Sequence, residues 1–260
     1  MKTVIIQSFR TFDIPPWIAR CLATVQAWAA SRGYDYRLTD DSVFALCGDA
    51  YLAKVGDNKR SITNLARLEL IRLALDEGYD PAIWMDADIQ IFAPDRLHFE
   101  PARRISFPRE TWMWPVDVRD WGVNQTINNC VIICPRGDPD LDLIIQTTRH
   151  RGLHHAVDYN QQVGVEVIRG MHRYLDFPVL PQVGMFSHWI VMAIAQGRGR
   201  VLDHQATLHG SPIYAANLCA SDHLDPPVPL DQAMQAMDVL ERTRGEIINA
   251  RLPDTGAAAG

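Results

Sequence analysis

The sequence predicts an α/β fold with a central, mostly parallel sheet flanked by helices. Three observations carry this expectation. Short β-branched or apolar runs alternate with segments of helical period through residues 1–91. The first and third of these runs end in polar residues, Gln7-Ser8 and Asp86-Ala87-Asp88, as strands do where a sheet opens to solvent. With 260 residues, 47% of them hydrophobic, the chain can bury a sizeable core.

Thr3-Val4-Ile5-Ile6 reads as a buried first strand. Pro15-Pro16 then opens a helix over residues 17–30, where Ile18, Cys21, Leu22, Val25 and Trp28 recur at helical spacing, and Gly33 ends it. Residues 34–38 alternate as a second strand, and residues 40–58, rich in Gly and Asp, read as irregular. Ser61 is the expected N-cap of a long helix through Leu65, Leu68, Ile71 and Leu75 to Gly78. Residues 81–85 are an apolar run fit for a central strand. Ligands of parallel sheets bind beyond the carboxyl ends of the strands, so Gln7-Ser8 and Asp86–Asp88 are expected to share one crevice.

The second half is less regular. A short strand is expected within residues 101–108, a tryptophan-rich loop over 110–126, and a strand over 130–134 led in by Asn128-Asn129. Helices are expected from Asp138 to Arg149, from the His/Asn/Gln-rich stretch 154–162 to Gly170, and over 230–250. Residues 201–208 read as a late strand with His209-Gly210 at its end. The chain divides into one domain over 1–225, with halves at 1–90 and 91–225, and a C-terminal helix with a fraying tail over 226–260.

Net charge is −6, lysine occurs only at Lys2, Lys54 and Lys59, and no Lys/Arg run is present. That argues against nucleic acid or an anionic membrane surface as partner. The longest apolar run, 189–195, is far short of the ~20 residues that span a bilayer, and the start MKTVIIQSFR has too short an apolar stretch for a signal peptide. Five scattered cysteines without a CxxC pair read as the reduced thiols of a cytoplasmic protein.

The chemistry starts at Asp86 and Asp88. Two carboxylates at i and i+2 just past a buried strand are costly without a cation, and hard oxygen ligands suit Mg²⁺ or Mn²⁺ bridging to substrate phosphates. The bland alternative is a solvated turn. A phosphatase of the haloacid-dehalogenase type also places an Asp pair after a strand, but it needs a later lysine, and none follows Lys59.

The run Arg67-Leu68-Glu69-Leu70, followed by Gly78-Tyr79-Asp80-Pro81-Ala82-Ile83-Trp84-Met85-Asp86-Ala87-Asp88-Ile89, resembles the GT-A glycosyltransferases of the nucleotide-diphospho-sugar transferase superfamily. In those enzymes an Arg-bearing helix precedes a hydrophobic strand ending in an Asp-x-Asp motif. The resemblance implies a single Rossmann-like domain and metal-dependent transfer from a nucleotide-sugar donor, with a UDP-sugar expected, and Mn²⁺ or Mg²⁺ as cofactor. The acceptor is left open between a carbohydrate, a glycolipid and a small molecule.

By the same resemblance, Gln7, Ser8 and Phe9 lie at the nucleotide base, and Arg67 reaches toward the diphosphate. Asp86, Ala87 and Asp88 form the metal–diphosphate site, with His209 as third metal ligand. Asn128 and Asn129 help hold the donor sugar, and Asp158, Asn160 and Gln161 lie near the reacting centre. Asp158 is the candidate base for inversion; Asn160, Gln161 and Gln162 would serve retention, toward which this centre leans. A sugar-1-phosphate nucleotidyltransferase shares much of such a fold, but its glycine-rich loop is missing from residues 7–11. A non-catalytic nucleotide-sugar-binding module would need no metal triad.

Other candidates are weaker. Lys59 and Arg60 precede the long helix and are candidates to cover phosphate at its N-terminus. Trp112, Trp114 and Trp121, clustered on an expected loop, suit flat contacts with sugar rings or a lid. His188-Trp189 is a candidate for the acceptor side on the same logic.

Overall fold

The apolar runs of the first half pair as parallel strands around β1 (Val4–Ser8), with β2 (Asp35–Thr39) on one side and β3 (Ala82–Met85) on the other. The coordinates are a computed structural model and describe residues 2–117, 120–155, 163–219 and 227–253. Between these strands run α1 (Pro16–Ser31), a 3₁₀ helix (Asp41–Cys47), α2 (Asp49–Val55) and α3 (Lys59–Asp76). After β3 come β4 (Ile89–Ile91), β5 (Phe107–Pro115), β6 (Trp121–Ile127), β7 (Val131–Cys134), α4 (Asp140–His154) and α5 (Val165–Leu175). The rest of the described chain holds β8 (Val179–Leu180), β9 (Val183–Met185), α6 (His188–Ala195), α7 (Arg200–His209), β10 (Ala215–Asn217), α8 (Leu230–Thr243) and α9 (Glu246–Asn249).

The central sheet has the order β2-β1-β3-β7, parallel except for β7. Its pleat sorts the core into two layers. Val4, Ile6, Trp84 and Ile132 point to one face and pack with Leu65, Leu68 and Ile71 of α3. Ile5, Ile83, Met85 and Val131 point to the other and pack with Val25, Trp28 and Ala29 of α1. Each buried Val, Leu, Ile or Met side chain among them contributes roughly 1.5–3 kcal/mol. A small sheet β4-β10-β9 and a second sheet β6-β5-β8 continue the domain. Helices α6, α7 and α8 close it around a third core containing Ile190, Leu202 and Met237. All five cysteines are buried free thiols, and no described helix is long and apolar enough to cross a membrane.

Four local expectations change. Residues 40–58 are two short helices rather than irregular chain: the Asp40 carboxylate accepts from Ser42 N, and Gly48 and Gly56 at φ 83° and 57° stop each helix before a period shows. Helix α3 starts at Lys59, because the Asn58 side chain, not Ser61, caps it by accepting from Ser61 N. The tryptophan-rich segment is a hairpin in which Arg109 to Pro115 pair with Trp121 to Ile127. Residues 201–208 lie in helix α7, whose Val201, Leu202, Gln205, Ala206 and His209 form one buried stripe, with Gly210 at φ 71° ending it.

Candidate active site

The carboxyl end of β3, the first half of α3 and the β5–β6 hairpin enclose a cavity of about 830 Å³. Asp86, Asp88, Arg67, Asn128 and Asn129 line it together. Lys59, Arg60, Thr63 and Asn64 line it from α3, and Glu110, Trp112, Trp114 and Asn124 line it from the hairpin.

The two carboxylates are tied differently. Asp86 Oδ1 lies 2.9 Å from Arg67 Nη1 and accepts from Trp84 Nε1 at 2.7 Å. Asp88 Oδ1 accepts from Asn217 Nδ2 at 2.6 Å. Asn217 sits on β10, which is zipped antiparallel to β4 just past Asp88, and its own Oδ1 accepts from Cys219 N at 2.9 Å. Burial raises both carboxyls above their ordinary range; the Asp86 charge raises Asp88 further, while Arg67 pulls in the opposite direction. Burial thus disfavours the charged form of both carboxyls, with Arg67 in contact with Asp86 and the Arg60 charge acting on Asp88.

Arg67 is not a solvated helix charge. It is 6% exposed, stacks over the Trp84 ring with its guanidinium carbon 5.2 Å from the centroid, and donates from Nη1 to the Asn129 carbonyl at 2.7 Å. One guanidinium thus joins α3, the end of β3 and the turn before β7. Asn129 Nδ2 in turn donates to Asn64 Oδ1 at 2.9 Å, and Asn64 Nδ2 donates to the Val163 carbonyl. Asn128 Nδ2 donates to Glu110 Oε2 at 2.6 Å, and Arg169 Nη2 reaches the same oxygen at 2.6 Å.

The remaining predicted residues fall in several places. Gln7 is fully buried, donating from Nε2 to the Asp86 backbone carbonyl at 3.0 Å and accepting from Tyr36 Oη at 2.9 Å. Its amide joins β1 to the backbone of the Asp pair, but Gln7, Ser8 and Phe9 are not among the residues lining the cavity that holds Asp86 and Asp88. Ser8 and Phe9 are half-buried at the same strand end, and Phe9 packs with Ile18, Leu22 and Ala87. Asp158, Asn160, Gln161 and Gln162 lie outside the described residues.

His209 is the clear correction. It sits at the end of a helix, fully buried, with Nε2 2.7 Å from the Pro181 carbonyl, and it is not among the residues lining the cavity. Among the described residues no group of three or more His, Cys, Asp or Glu side chains is arranged to hold a metal ion. Burial lowers the His209 pKa to about 4, so the ring is neutral and donates from Nε2 to that carbonyl. His188, at the start of α6, is also buried and outside the cavity.

Sequence reading missed Glu110, Arg169, Asn64 and Asn217. Only Asn217 has a local trace, as a polar residue ending the apolar Ala215-Ala216 run. The others meet their partners 18 to 65 positions away.

No protein-family profile and no curated protein sequence matches the chain. Among solved structures, the chain is similar in fold to the crystal structure of a glycosyltransferase involved in the glycosylation of the major capsid of PBCV-1. The TM-score is 0.52 at 10% sequence identity, and the match covers 92% of this chain and 98% of that one. At that identity the likeness is one of fold.

Proposed function

We propose that the chain is a metal-dependent glycosyltransferase that moves a sugar from a nucleotide-diphosphate donor, a UDP-sugar, to an acceptor, with retention of configuration. The observation that carries this reading is the carboxylate pair Asp86 and Asp88 at the end of β3, in the wall of a cavity that also holds Arg67, Asn128 and Asn129. The fold shared with a solved glycosyltransferase supports it.

A divalent cation fits the chemistry of the pair. The side-chain partners of both carboxylates reach Oδ1, and burial disfavours the charged form of both, a cost that a bound cation would offset. Asp86 and Asp88 would hold Mn²⁺ or Mg²⁺ together with the donor's phosphates; His209 has no part in this reading. Such an ion offsets the charge of a leaving diphosphate.

The chain's own residues do the rest. Arg67 fixes Asp86 and carries positive charge to the wall where the diphosphate would lie. Asn217 fixes Asp88. Lys59 and Arg60, in the first turn of α3, add cationic charge to the same wall, and Asn128 and Asn129, which also line the cavity, would contact the donor sugar in this reading. Incubation with a panel of nucleotide sugars and Mn²⁺ tests the reading. Slow hydrolysis of one UDP-sugar, suppressed by EDTA, is expected; no turnover or binding of any nucleotide sugar contradicts it.

A further inference from the structure

The β5–β6 hairpin presents a face to the cavity of which the donor reading uses only Glu110, through its bond from Asn128. Glu110, Trp112 and Trp114 alternate along β5 and all line the cavity, as a pleated strand requires. The alternate residues Thr111 and Met113 are fully buried on the opposite side. Exposure rises along the row: Glu110 is buried, Trp112 half-buried and Trp114 41% exposed.

Trp114 is seated by what its partner strand lacks. It stands opposite Gly122 in the antiparallel ladder, and a Cβ at Gly122 would overlap the indole atoms Cε2, Cζ2 and Nε1. The ring therefore lies down over the glycine instead of standing clear of the sheet. At the other end of the row, the partners of the Glu110 carboxylate among the described residues, Asn128 and Arg169, both reach Oε2. Asn124, cross-strand from Trp112, adds an amide to the same wall.

We propose that this face is the acceptor subsite and that the acceptor is a saccharide. The proposal rests on the glycosyl-transfer reading. A flat indole beside a fixed carboxylate and an amide matches a pyranose, which offers apolar C–H bonds on its face and hydroxyls at its rim. Trp114 takes the ring face, and Glu110 accepts from a hydroxyl through Oε1. An acyl chain would leave Glu110 Oε1 and the Asn124 amide facing apolar atoms in a desolvated contact, with only Oε2 held by Asn128 and Arg169. Gly122 is then a positioning residue, acting through Trp114 alone.

Saturation-transfer NMR on the full chain tests this, with UDP and Mn²⁺ present and methyl α- and β-pyranosides of glucose, galactose and mannose as probes. Decanol serves as the apolar arm. The expected result is saturation of pyranoside C–H protons in the wild type. Affinity should fall about tenfold in Trp114→Ala, the order of one lost aromatic contact. It should fall similarly in Gly122→Ala, where the tryptophan is still present but displaced. Glu110→Gln should weaken binding while the same ring-face protons remain saturated. Absence of pyranoside saturation in the wild type overturns the proposal, as does unchanged saturation in both Trp114→Ala and Gly122→Ala, or saturation of decanol alone. UDP titration of the same samples separates the two ideas. UDP binding without pyranoside contact overturns the acceptor face only, and pyranoside contact at Trp114 without UDP binding overturns the donor reading only.

Discussion

Arg67 and Asp86 meet at 2.9 Å within the protein, where the arginine side chain is 8% and the aspartate 23% exposed. The same guanidinium nitrogen donates to the Asn129 carbonyl, so the pair is a joint between α3, β3 and the turn into β7. Removing one member of such a pair leaves the other charge without its partner. Arg67→Ala is therefore predicted to cost about 3–5 kcal/mol of folding stability, with Arg67→Lys losing less. Denaturant unfolding checks this; an unchanged midpoint for Arg67→Ala would make the arginine a ligand contact without structural weight.

His209 gives the pH prediction. Its folded-state pKa is lowered to about 4 against an unfolded value of ~6.5, so between these values the unfolded chain binds the extra proton. The contribution is fully present above ~6.5 and is lost as pH falls toward 4, by about 3 kcal/mol at the lower end. His209→Gln should flatten that part of the stability curve. The same variant should leave metal-supported UDP binding unchanged, because the imidazole lies outside the cavity lining. A lost metal effect in His209→Gln would restore the histidine to the metal site.

Gly164 supports the site from behind. Its φ of 117° is one that residues with a Cβ rarely adopt, and a Cβ there would overlap the Asn64 side chain that holds Asn129. Gly164→Ala is predicted to destabilise by about 1–3 kcal/mol. It should also weaken UDP binding through the displaced Asn64. Wild-type stability with wild-type affinity would contradict both parts.

Asn217 holds Asp88 from a strand 129 positions away. Asn217→Ala removes a hydrogen bond to a carboxylate, a contribution of about 1.5–3 kcal/mol. The expected outcome is at least tenfold weaker UDP binding in Mn²⁺ with little change in EDTA. Equal losses in both media would place Asn217 in the fold rather than at the cation.

The first half of the molecule was legible because its core is local. Ile5 and Ile83 lie in short apolar runs, and the stripe of α3 repeats every three to four residues, so β1, α1, α3 and β3 declare themselves. The Asp pair is legible for the same reason, since it ends one of those runs. Helix α7 was hidden because Val201, Leu202, Thr207 and Leu208 suggest a strand, although Gly199 and Gly210 bracket a helix-length stripe. The hairpin was hidden because Trp112 and Trp114 alternate with Thr111 and Met113 on opposite faces, and a mixed row of large residues gives no polar-apolar contrast to read. Glu110, Arg169 and Asn217 enter the site only through tertiary pairing, which no short window of sequence contains.

In the proposed function, Asp86 and Asp88 bind a nucleotide diphosphate through a divalent cation. Calorimetric titration of UDP into the wild type and Asp88→Asn, each in Mn²⁺ and in EDTA, tests it most directly. The expected result is much tighter binding in Mn²⁺ for the wild type and no difference between the two media for Asp88→Asn. Identical wild-type affinities in Mn²⁺ and EDTA would contradict it.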